Sequence, residues 1–342
     1  MIVLNEDSPR WVRELARFIS IKNLLFVYGN VHDLVSFPIQ VIEQGHEKVR
    51  WTDSDLPQFF RRFLVGQGYE VVGAADPVEE LAFATPEMEH LFYQIESGRL
   101  KQTPDGKVEP APQPQEAPTA LPRSPRQDWE PGTQRSVEAA DWNRTMTRIA
   151  RGLQNTLVPC AFVIDLASRF LSAPDRLNKD ERVLFTKILK ASLASREVVR
   201  PDRRWNNLLI LICDKLNDLP TFLYLNNPRV RSINIEPPDR CERARFIHRF
   251  HRHFYGGTEQ EPPQGVVNDF VDLTERLTHY EMRSLVGLSI KEQIPLFEPQ
   301  TGMSQVKRIS EMYKYGVVTS EWDKIGVAEL PNSETVVRNR IK

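Results

Sequence analysis

Cysteine, net charge and long apolar runs are all scarce in this chain of 342 residues, and each scarcity excludes a class of protein. The three cysteines, Cys160, Cys213 and Cys241, are scattered and odd in number, which is typical of buried thiols in a reducing cytosol rather than of a disulfide framework. A formal net charge of −1 gives no whole-molecule attraction to nucleic acid or membrane, although local patches could bind either. No apolar run approaches the roughly 18 residues of a membrane span, and we expect no signal peptide. The composition therefore predicts a soluble cytoplasmic protein.

Three apolar runs nevertheless predict the buried strands of a parallel sheet. They span Ala161–Asp165, Leu208–Ile212 and Val230–Ile235, and segments with helical periodicity separate the first two. In such sheets ligand-binding and catalytic residues lie at the carboxyl ends of the strands, and Asp165 and Lys215 are at these ends. Yet the motif G-x-x-x-x-G-K-S/T, whose amides and lysine hold phosphate groups, occurs nowhere in the chain.

The remaining pattern predicts an α/β core with a doubly wound, mostly parallel sheet, followed by a small helical lid domain. An early strand at Leu24–Tyr28 ends at Gly29, a hairpin is expected around Gly45, and a helix with a break near Pro86 is expected over 78–93. From residue 240 onward the periodicity is mostly helical. The predicted limits are 1–97 and 137–238 for the two parts of the core, 239–325 for the lid and 326–342 for a polar tail or linker.

Residues 98–136 separate the two parts of the core and form a Pro-rich insertion. Eight prolines stand among Gln, Glu, Ala, Thr and Arg without apolar periodicity. Proline has no backbone N–H to donate, and the segment has too few apolar residues to compensate for the entropy lost on ordering. We interpret it as a flexible, disordered linker, or as a docking segment that presents Trp129 to a partner.

The order of these elements and four strand-end segments resemble the AAA+ ATPases. The resemblance covers about residues 11–315, interrupted by the insertion. In that family Phe162–Asp165 corresponds to the Walker B strand, whose acid holds magnesium bound to ATP, and Ile212–Pro220 corresponds to the sensor 1 region. Asn227–Ile235 is similar to the stretch that carries trans-acting arginines, and Pro237–Arg243 to the entry into the lid. The resemblance implies a nucleotide-binding fold, oligomeric assembly commonly in rings, and remodelling of other macromolecules.

Several departures from the family pattern predict that this chain is catalytically impaired. Gly29–Asp33 stands where the phosphate loop should follow the first strand, with one glycine, no lysine and no hydroxyl to ligate magnesium. Leu166 occupies the place of the family's catalytic glutamate, and Lys215 that of the polar sensor. Because positioning and charge neutralisation supply nearly all of phosphoryl-transfer catalysis, we expect little hydrolysis and at most weak binding of ATP and magnesium.

A further resemblance concerns the end of the chain. Tyr313–Gly316 and Trp322–Ile325 are similar to the segment that, in some bacterial tandem AAA+ proteins, joins a degenerate first module to a second one with an intact phosphate loop. This resemblance implies an assembly or regulatory half of a larger ATPase, with neighbouring AAA+ subunits or another protein as partners.

Each candidate site residue also has a structural interpretation. Asp165 either ligates magnesium or caps the next turn, and Lys215 either meets a phosphate or pairs with Asp214 or Asp218 in a solvated turn. Arg229 and Arg231 correspond to arginine fingers acting on a neighbouring subunit, or are exposed residues at a sheet edge.

A basic surface supports an alternative function in nucleic-acid binding, since arginines on one helical face can follow phosphates. The alternative interpretation is a solvated lid helix. A third possibility is a working NTPase with a non-standard loop. No spacing of histidine and cysteine predicts a metal site. The arginines of the candidate basic surface are Arg196, Arg200, Arg203, Arg204, Arg245, Arg249 and Arg252.

Overall fold

The computed structural model describes residue 2 and residues 4–43, 46–102, 108–110, 141–201, 203–298 and 300–316. The strands are β1 Leu24–Gly29, β2 Val35–Glu43, β3 His46–Ser54, β4 Val71–Ala75, β5 Ala82–Phe83, β6 Leu100–Gln102, β7 Val108–Pro110, β8 Cys160–Ile164, β9 Glu197–Val199, β10 Arg204–Asn206, β11 Leu208–Cys213 and β12 Val230–Ile235. The helices are α1 Arg10–Phe18, α2 Leu56–Gly66, α3 Pro86–Glu96, α4 Trp142–Gln154, α5 Lys179–Ala194, α6 Arg240–Phe250, α7 Gln264–Leu273, α8 His279–Lys291 and α9 Val306–Tyr315.

The chain divides into two units, Met1–Ile235 and Glu236–Lys342. The first contains a six-stranded sheet in the order β12-β1-β11-β8-β4-β5. Strand β1 pairs in parallel with both β11 and β12, β8 pairs in parallel with β11 and β4, and only the short β5 is antiparallel. The predicted doubly wound, mostly parallel sheet is confirmed.

Helices cover both faces of this sheet, which explains why its strands read as continuous apolar runs. On one face α1 and α2 pack against alternate residues of the strands, such as Leu25 and Val27 of β1. On the other face α3, α4 and α5 pack against the intervening residues, such as Leu24 and Phe26. Every residue of β11 is buried. The sheet is therefore the middle layer of three, and only the ends of its strands are available to form a site.

A buried asparagine joins several elements at the amino ends of the strands. Asn207 is fully buried, and its side-chain amide donates to the carbonyls of Leu153 and Asn155 over 3.1 and 2.7 Å. Its side-chain carbonyl accepts the Cys160 amide proton over 2.9 Å. All of these groups are buried backbone atoms that would otherwise lack partners, so Asn207 holds the end of α4 against the start of β8.

The second unit is helical and has its own core. Phe246, Phe270, Met282 and Ile309 contribute to one buried cluster from α6, α7, α8 and α9 in turn. Helices α6 and α8 both begin with a capping box, in which the cap side chain and a glutamate three residues later exchange hydrogen bonds with the backbone. The C-terminal helices expected from the periodicity are confirmed. No helix in the described ranges is both long and apolar enough to cross a membrane.

Several local predictions need correction. The helix expected over 78–93 begins only at Pro86, because residues 82–83 pair with β4 as strand β5. The hairpin expected around Gly45 is present but longer, with nine residue pairs between β2 and β3. Within the segment interpreted as a disordered insertion, β6 and β7 form a short antiparallel pair. The rest of that segment, Trp129, Trp322–Ile325 and the tail at 326–342 lie outside the described residues.

Candidate functional site

The carboxyl ends of three neighbouring strands bring the predicted nucleotide-site residues to one edge of the sheet. Strand β1 leads into Gly29–Asp33, β8 ends before Asp165, and β11 ends before Asp214 and Lys215. Because β1 lies next to β11 and β11 next to β8, these segments are neighbours in space. This is the edge at which ligands bind in open α/β sheets.

Gly29 lets the chain turn sharply against the neighbouring strand. Its φ is +101°, a conformation that L side chains rarely adopt. A Cβ atom at this position would lie 2.5 Å from both the side-chain oxygen of Asn234 and the carbonyl oxygen of Ile235. The glycine is therefore needed for a close contact between β1 and β12 within the chain, which is a different role from approach to a phosphate.

The backbone amides after β1 donate their hydrogen bonds within the protein. The Gly29 amide donates to the carbonyl of Asp214 over 3.0 Å, and the Asn30 amide donates to the carbonyl of Ile235 over 2.8 Å. The Val31 amide turns back to the carbonyl of Gly29 over 2.8 Å. A phosphate loop functions because successive amides point at the anion, so this loop lacks the arrangement that such binding requires.

The Asp33 side chain forms hydrogen bonds within the same loop. It is buried, and its carboxylate accepts the Leu34 amide proton over 2.8 Å and a proton of the Asn30 side-chain amide over 2.9 Å. The loop that follows β1 thus contains a buried carboxylate and no lysine. A negative charge there opposes phosphate binding.

No helix follows the β1 loop directly. The β2–β3 hairpin comes first, and α2 begins only after it. At the start of α2, the Asp55 carboxylate accepts the Gln58 amide proton over 2.7 Å, and Pro57 has no amide proton to offer. The helix N-terminus is an anion site only when its amides are available, and here a carboxylate of the same chain already uses one of them.

Asp165 makes the contact expected of a capping residue. Its carboxylate accepts the Leu166 amide proton over 2.8 Å, and Leu166 adopts a left-handed conformation with φ of 50°. Burial raises the pKa of Asp165 above its ordinary value; nearby Asp76 and Asp55 add to the rise, while the Leu166 amide and His32 oppose it. Within the described residues, no group of three or more His, Cys, Asp or Glu side chains is placed to hold a metal ion.

Two basic side chains at this edge contact Asp214. His32 Nε2 lies 2.6 Å from one of its carboxylate oxygens, and Arg169 Nη2 lies 3.1 Å from the other. The exposed Lys215 begins a short turn in which its amide donates to Asp218 over 3.1 Å. Sequence reasoning missed the cluster of His32, Arg169 and Asp214, because its members come from three separate loops and no spacing connects them.

The two arginines at β12 contact their own chain. Arg229 donates from its guanidinium to the carbonyl of Leu193. Arg231 Nε donates to Glu14 over 2.9 Å, and its guanidinium lies 4.5 Å from the centre of the Phe18 ring. Arg229 directly precedes β12 and Arg231 is its second residue, so both lie away from the carboxyl edge. These contacts give each arginine a structural role, and the arginine-finger assignment stays a prediction.

The arginines of the candidate basic surface fall in different units. Arg196, Arg203 and Arg204 are exposed in the first unit, where Arg200 forms an ion pair with Glu70. The guanidinium groups of Arg200 and Arg203 lie 5.6 and 5.0 Å from the ring of Trp205.

The second unit holds the remaining three arginines, Arg245, Arg249 and Arg252. Arg252 pairs with Glu259 over 2.8 Å, and Arg249 lies 5.2 Å from the Phe250 ring. Part of the positive charge predicted for this surface is therefore offset by neighbouring carboxylates in each unit.

A depression of about 590 Å³ lies beside Trp205, lined in part by Glu70, Met88 and Arg200. Glu70 directly precedes β4, which places the depression at the amino ends of the strands. It therefore does not coincide with the edge that holds Asp165 and Asp214.

The parallel sheet with helices on both faces defines a Rossmann-like α/β domain. Residues 5–236 match the family model described as AAA+ chaperone, N-terminal Rossmann-like domain. The chain belongs to this family, and the predicted AAA+ relationship is confirmed.

Two further comparisons add little to this relationship. No curated protein matches the chain. One similar solved chain comes from the structure of the E. coli MS115-1 HORMA:CdnC:Trip13 complex, with 11% identity and a TM-score of 0.34 over 54% of this chain. The match spans 59% of that chain, less than two thirds of its length. This similarity is too low to carry an argument about function.

Proposed function

We propose that this chain is a AAA+ module that does not hydrolyse nucleotide and that serves in assembly, regulation or partner recruitment within an ATP-driven remodelling machine. The observation that carries the proposal is the β1 loop. Its amides at Gly29, Asn30 and Val31 donate to carbonyl oxygens of the chain, so the cradle that a triphosphate needs is closed.

Electrostatics at the same edge support the proposal. Asp33 is buried in the loop, Asp55 caps α2, and burial raises the pKa of Asp165. His32 and Arg169, which would be available to neutralise a phosphate in an active site, contact Asp214 instead. Phosphoryl transfer depends on positioned cations, and here the Arg169 guanidinium contacts a carboxylate of the protein's own chain, while the Lys215 side chain is exposed.

A nucleotide titration tests the proposal. Calorimetry with ATP and magnesium should give no saturable binding at micromolar concentrations, and a phosphate-release assay should give no signal above buffer. The Asp165→Asn variant is the matched control, because a contaminating ATPase would be unaffected by it. Phosphate release that Asp165→Asn abolishes would instead establish a working NTPase with a non-standard loop.

We further propose that the module acts beside an intact AAA+ module, in an oligomer or as the first part of a tandem protein. The similarity of Tyr313–Gly316 to a tandem junction supports this arrangement. Arg229 and Arg231 are then candidates to act on the neighbouring site. Mixing this chain with an active AAA+ partner should raise phosphate release, and Arg229→Ala should reduce the increase if the arginine acts in trans. Loss on Arg231→Ala that is accompanied by a lower melting temperature and reproduced by Glu14→Ala would favour the structural contact with Glu14.

A further inference from the structure

Helices α4 and α5 pack side by side on one face of the sheet. Their apolar residues, such as Ile149 and Ile188, are buried against the strands. Residues 142–154 of α4 and 182–194 of α5 include basic residues but no acidic one. We call the solvent-exposed surface of these two segments the α4–α5 face. Its basic residues are Arg144, Arg148, Arg151, Arg182, Lys187 and Lys190.

Most of this positive charge is not neutralised by the chain. Arg148 pairs with Glu96 over 3.1 Å, and Lys187 Nζ donates to the uncharged side-chain oxygen of Asn143 over 2.9 Å. The other basic side chains of the face are exposed, and none of them forms a hydrogen bond or an ion pair with the part of the chain that the structure describes. They are therefore available to carboxylates of another molecule.

The carboxylates closest in the sequence lie at the ends of the α4–α5 face. Asp141 caps α4 by accepting two amide protons, and Asp180 is in the first turn of α5. Glu181 is buried in the capping box of α5, and Glu197 follows the helix in β9. Between these ends the two helices carry positive charge alone, although the net charge of the whole chain is −1.

The spacing of the exposed residues favours a helix as the bound segment. Arg144 and Arg151 are seven residues apart, so they lie on one side of α4, about 10 Å apart along its axis. Val183 and Lys190 have the same spacing on α5. A partner helix lying along α4 has the same rise per residue, so carboxylates seven residues apart can meet both arginines. An extended strand covers this distance in about three residues, and side chains three residues apart in a strand point to opposite faces.

Exposed apolar side chains favour a protein over a phosphate-bearing ligand. Val183 is 41% exposed and Leu193 is 48% exposed, and phosphate groups would match the cations but not these side chains. Helix α3 packs beside α4 and exposes Glu87 and Glu89, which would repel a nucleic acid. A bilayer is disfavoured because the apolar faces of α4 and α5 are already buried in the core.

We propose that the α4–α5 face binds an acidic amphipathic helix of a partner protein. The helix lies along α4 and α5, its carboxylates contact Arg144, Arg151 and Lys190, and an apolar side chain covers Val183. This inference rests on the proposed role in partner recruitment and names the surface that performs it.

A labelled synthetic helix in which glutamate and leucine each recur every seventh residue tests the proposal. At low salt, fluorescence anisotropy should show saturable binding to the full chain, and hydrogen exchange should show new protection of α4 and α5. Arg144→Glu with Arg151→Glu should weaken binding about tenfold and favour a peptide with lysine in place of glutamate. Arg13→Glu with Arg17→Glu, an equal charge change on exposed residues of α1 at the opposite face of the sheet, should leave binding unchanged.

The outcomes that overturn the proposal are specific. Lack of saturable binding by a chain that circular dichroism shows to be folded would do so, as would equal binding by the α4 double variant or an equal loss in the α1 double variant. Duplex DNA or anionic vesicles that bind more tightly than the peptide, and that the α4 substitutions release, would make a phosphate-bearing ligand the occupant. Dimers that form without peptide and protect α4 and α5 would make a second copy the occupant. ATP binding would overturn the proposed function but leave the peptide result intact, so the two failures are distinguishable.

Discussion

At the scale of single residues, the carboxyl edge is defined by side chains that satisfy one another. Gly29 permits the contact with β12, Asp33 closes the loop, and Asp214 pairs with His32 and Arg169. Each of these residues makes a contact within the chain. The groups that could contact a nucleotide therefore already have partners in the protein.

Replacing Gly29 by alanine should destabilise the protein by about 1–3 kcal/mol, because the new Cβ requires both a strained backbone and movement of β12. Urea denaturation monitored by circular dichroism measures the change. Gly287→Ala is the matched control. Gly287 lies inside α8, where the added Cβ would meet no atom within 4 Å beyond its neighbours in the same helix, and the substitution should stabilise by about 0.5–1 kcal/mol. Equal effects of the two substitutions would contradict the assigned role of Gly29.

Asp165→Asn should raise the melting temperature at neutral pH. Because burial raises the pKa of Asp165 in the folded state, the folded protein holds its proton more tightly than the unfolded chain does. Stability is therefore lost as the pH rises from the ordinary aspartate value of about 3.9 through the raised folded value. Asparagine removes this loss and keeps an oxygen for the Leu166 amide.

Melting curves of Asp165→Asn and the parent chain between pH 3 and pH 8 test this directly. The two should converge at the acid end, where the carboxyl group is protonated in both states. A variant that is less stable at neutral pH only when magnesium is present would show that Asp165 binds the ion, and our interpretation of it as a cap would be wrong.

At the scale of elements, strands and helices whose residue pattern is set by burial could be predicted from the sequence. Elements that depend on tertiary contacts could not. Strands β8 and β11 were predictable because burial throughout makes their apolar runs continuous. Strand β12 lies at the sheet edge and alternates between apolar and polar residues, and its buried Ile233 and Ile235 still indicated a strand. Strand β5 was missed because two residues carry no periodicity, and only pairing with β4 makes them a strand. The absent phosphate motif was visible in the sequence, but the acceptors of the loop amides were not, since Asp214 and Ile235 lie far along the chain.

The N-terminus of α2 gives an element-scale prediction. Asp55→Ala removes the cap and should cost about 1 kcal/mol of unfolding free energy. It should not create ATP binding, because Pro57 still lacks an amide proton and the β1 loop remains closed. Thr85→Ala, which removes the corresponding cap of α3, is the control for stability. ATP binding gained by Asp55→Ala alone would mean that the cap, rather than the loop, excludes the nucleotide.

At the scale of the whole molecule, the chain combines the parallel sheet of its family with a carboxyl edge that lacks the phosphate-loop motif. The family match covers the Rossmann-like unit, and the helices after it form a second core of their own. The hairpin between β1 and α2 lengthens the connection at which P-loop proteins enter a helix directly. This connection is where the chain departs from the phosphate-loop motif, and the proposed loss of nucleotide hydrolysis depends on it.

The charge distribution of the whole molecule bears on the alternative function, which is nucleic-acid binding. We expect no saturable binding of duplex DNA at physiological salt, because the net charge is −1 and Arg200 and Arg252 are paired with carboxylates. Binding through phosphate contacts would instead weaken steeply with salt, with a slope of about −0.9 per contact in a plot of log affinity against log salt. Reversing Arg245, Arg249 and Arg252 to glutamate would then abolish it, whereas Arg144→Glu with Arg151→Glu, on exposed residues of α4, would not. A steep slope together with that pattern would replace partner recruitment by nucleic-acid binding as the function of this module.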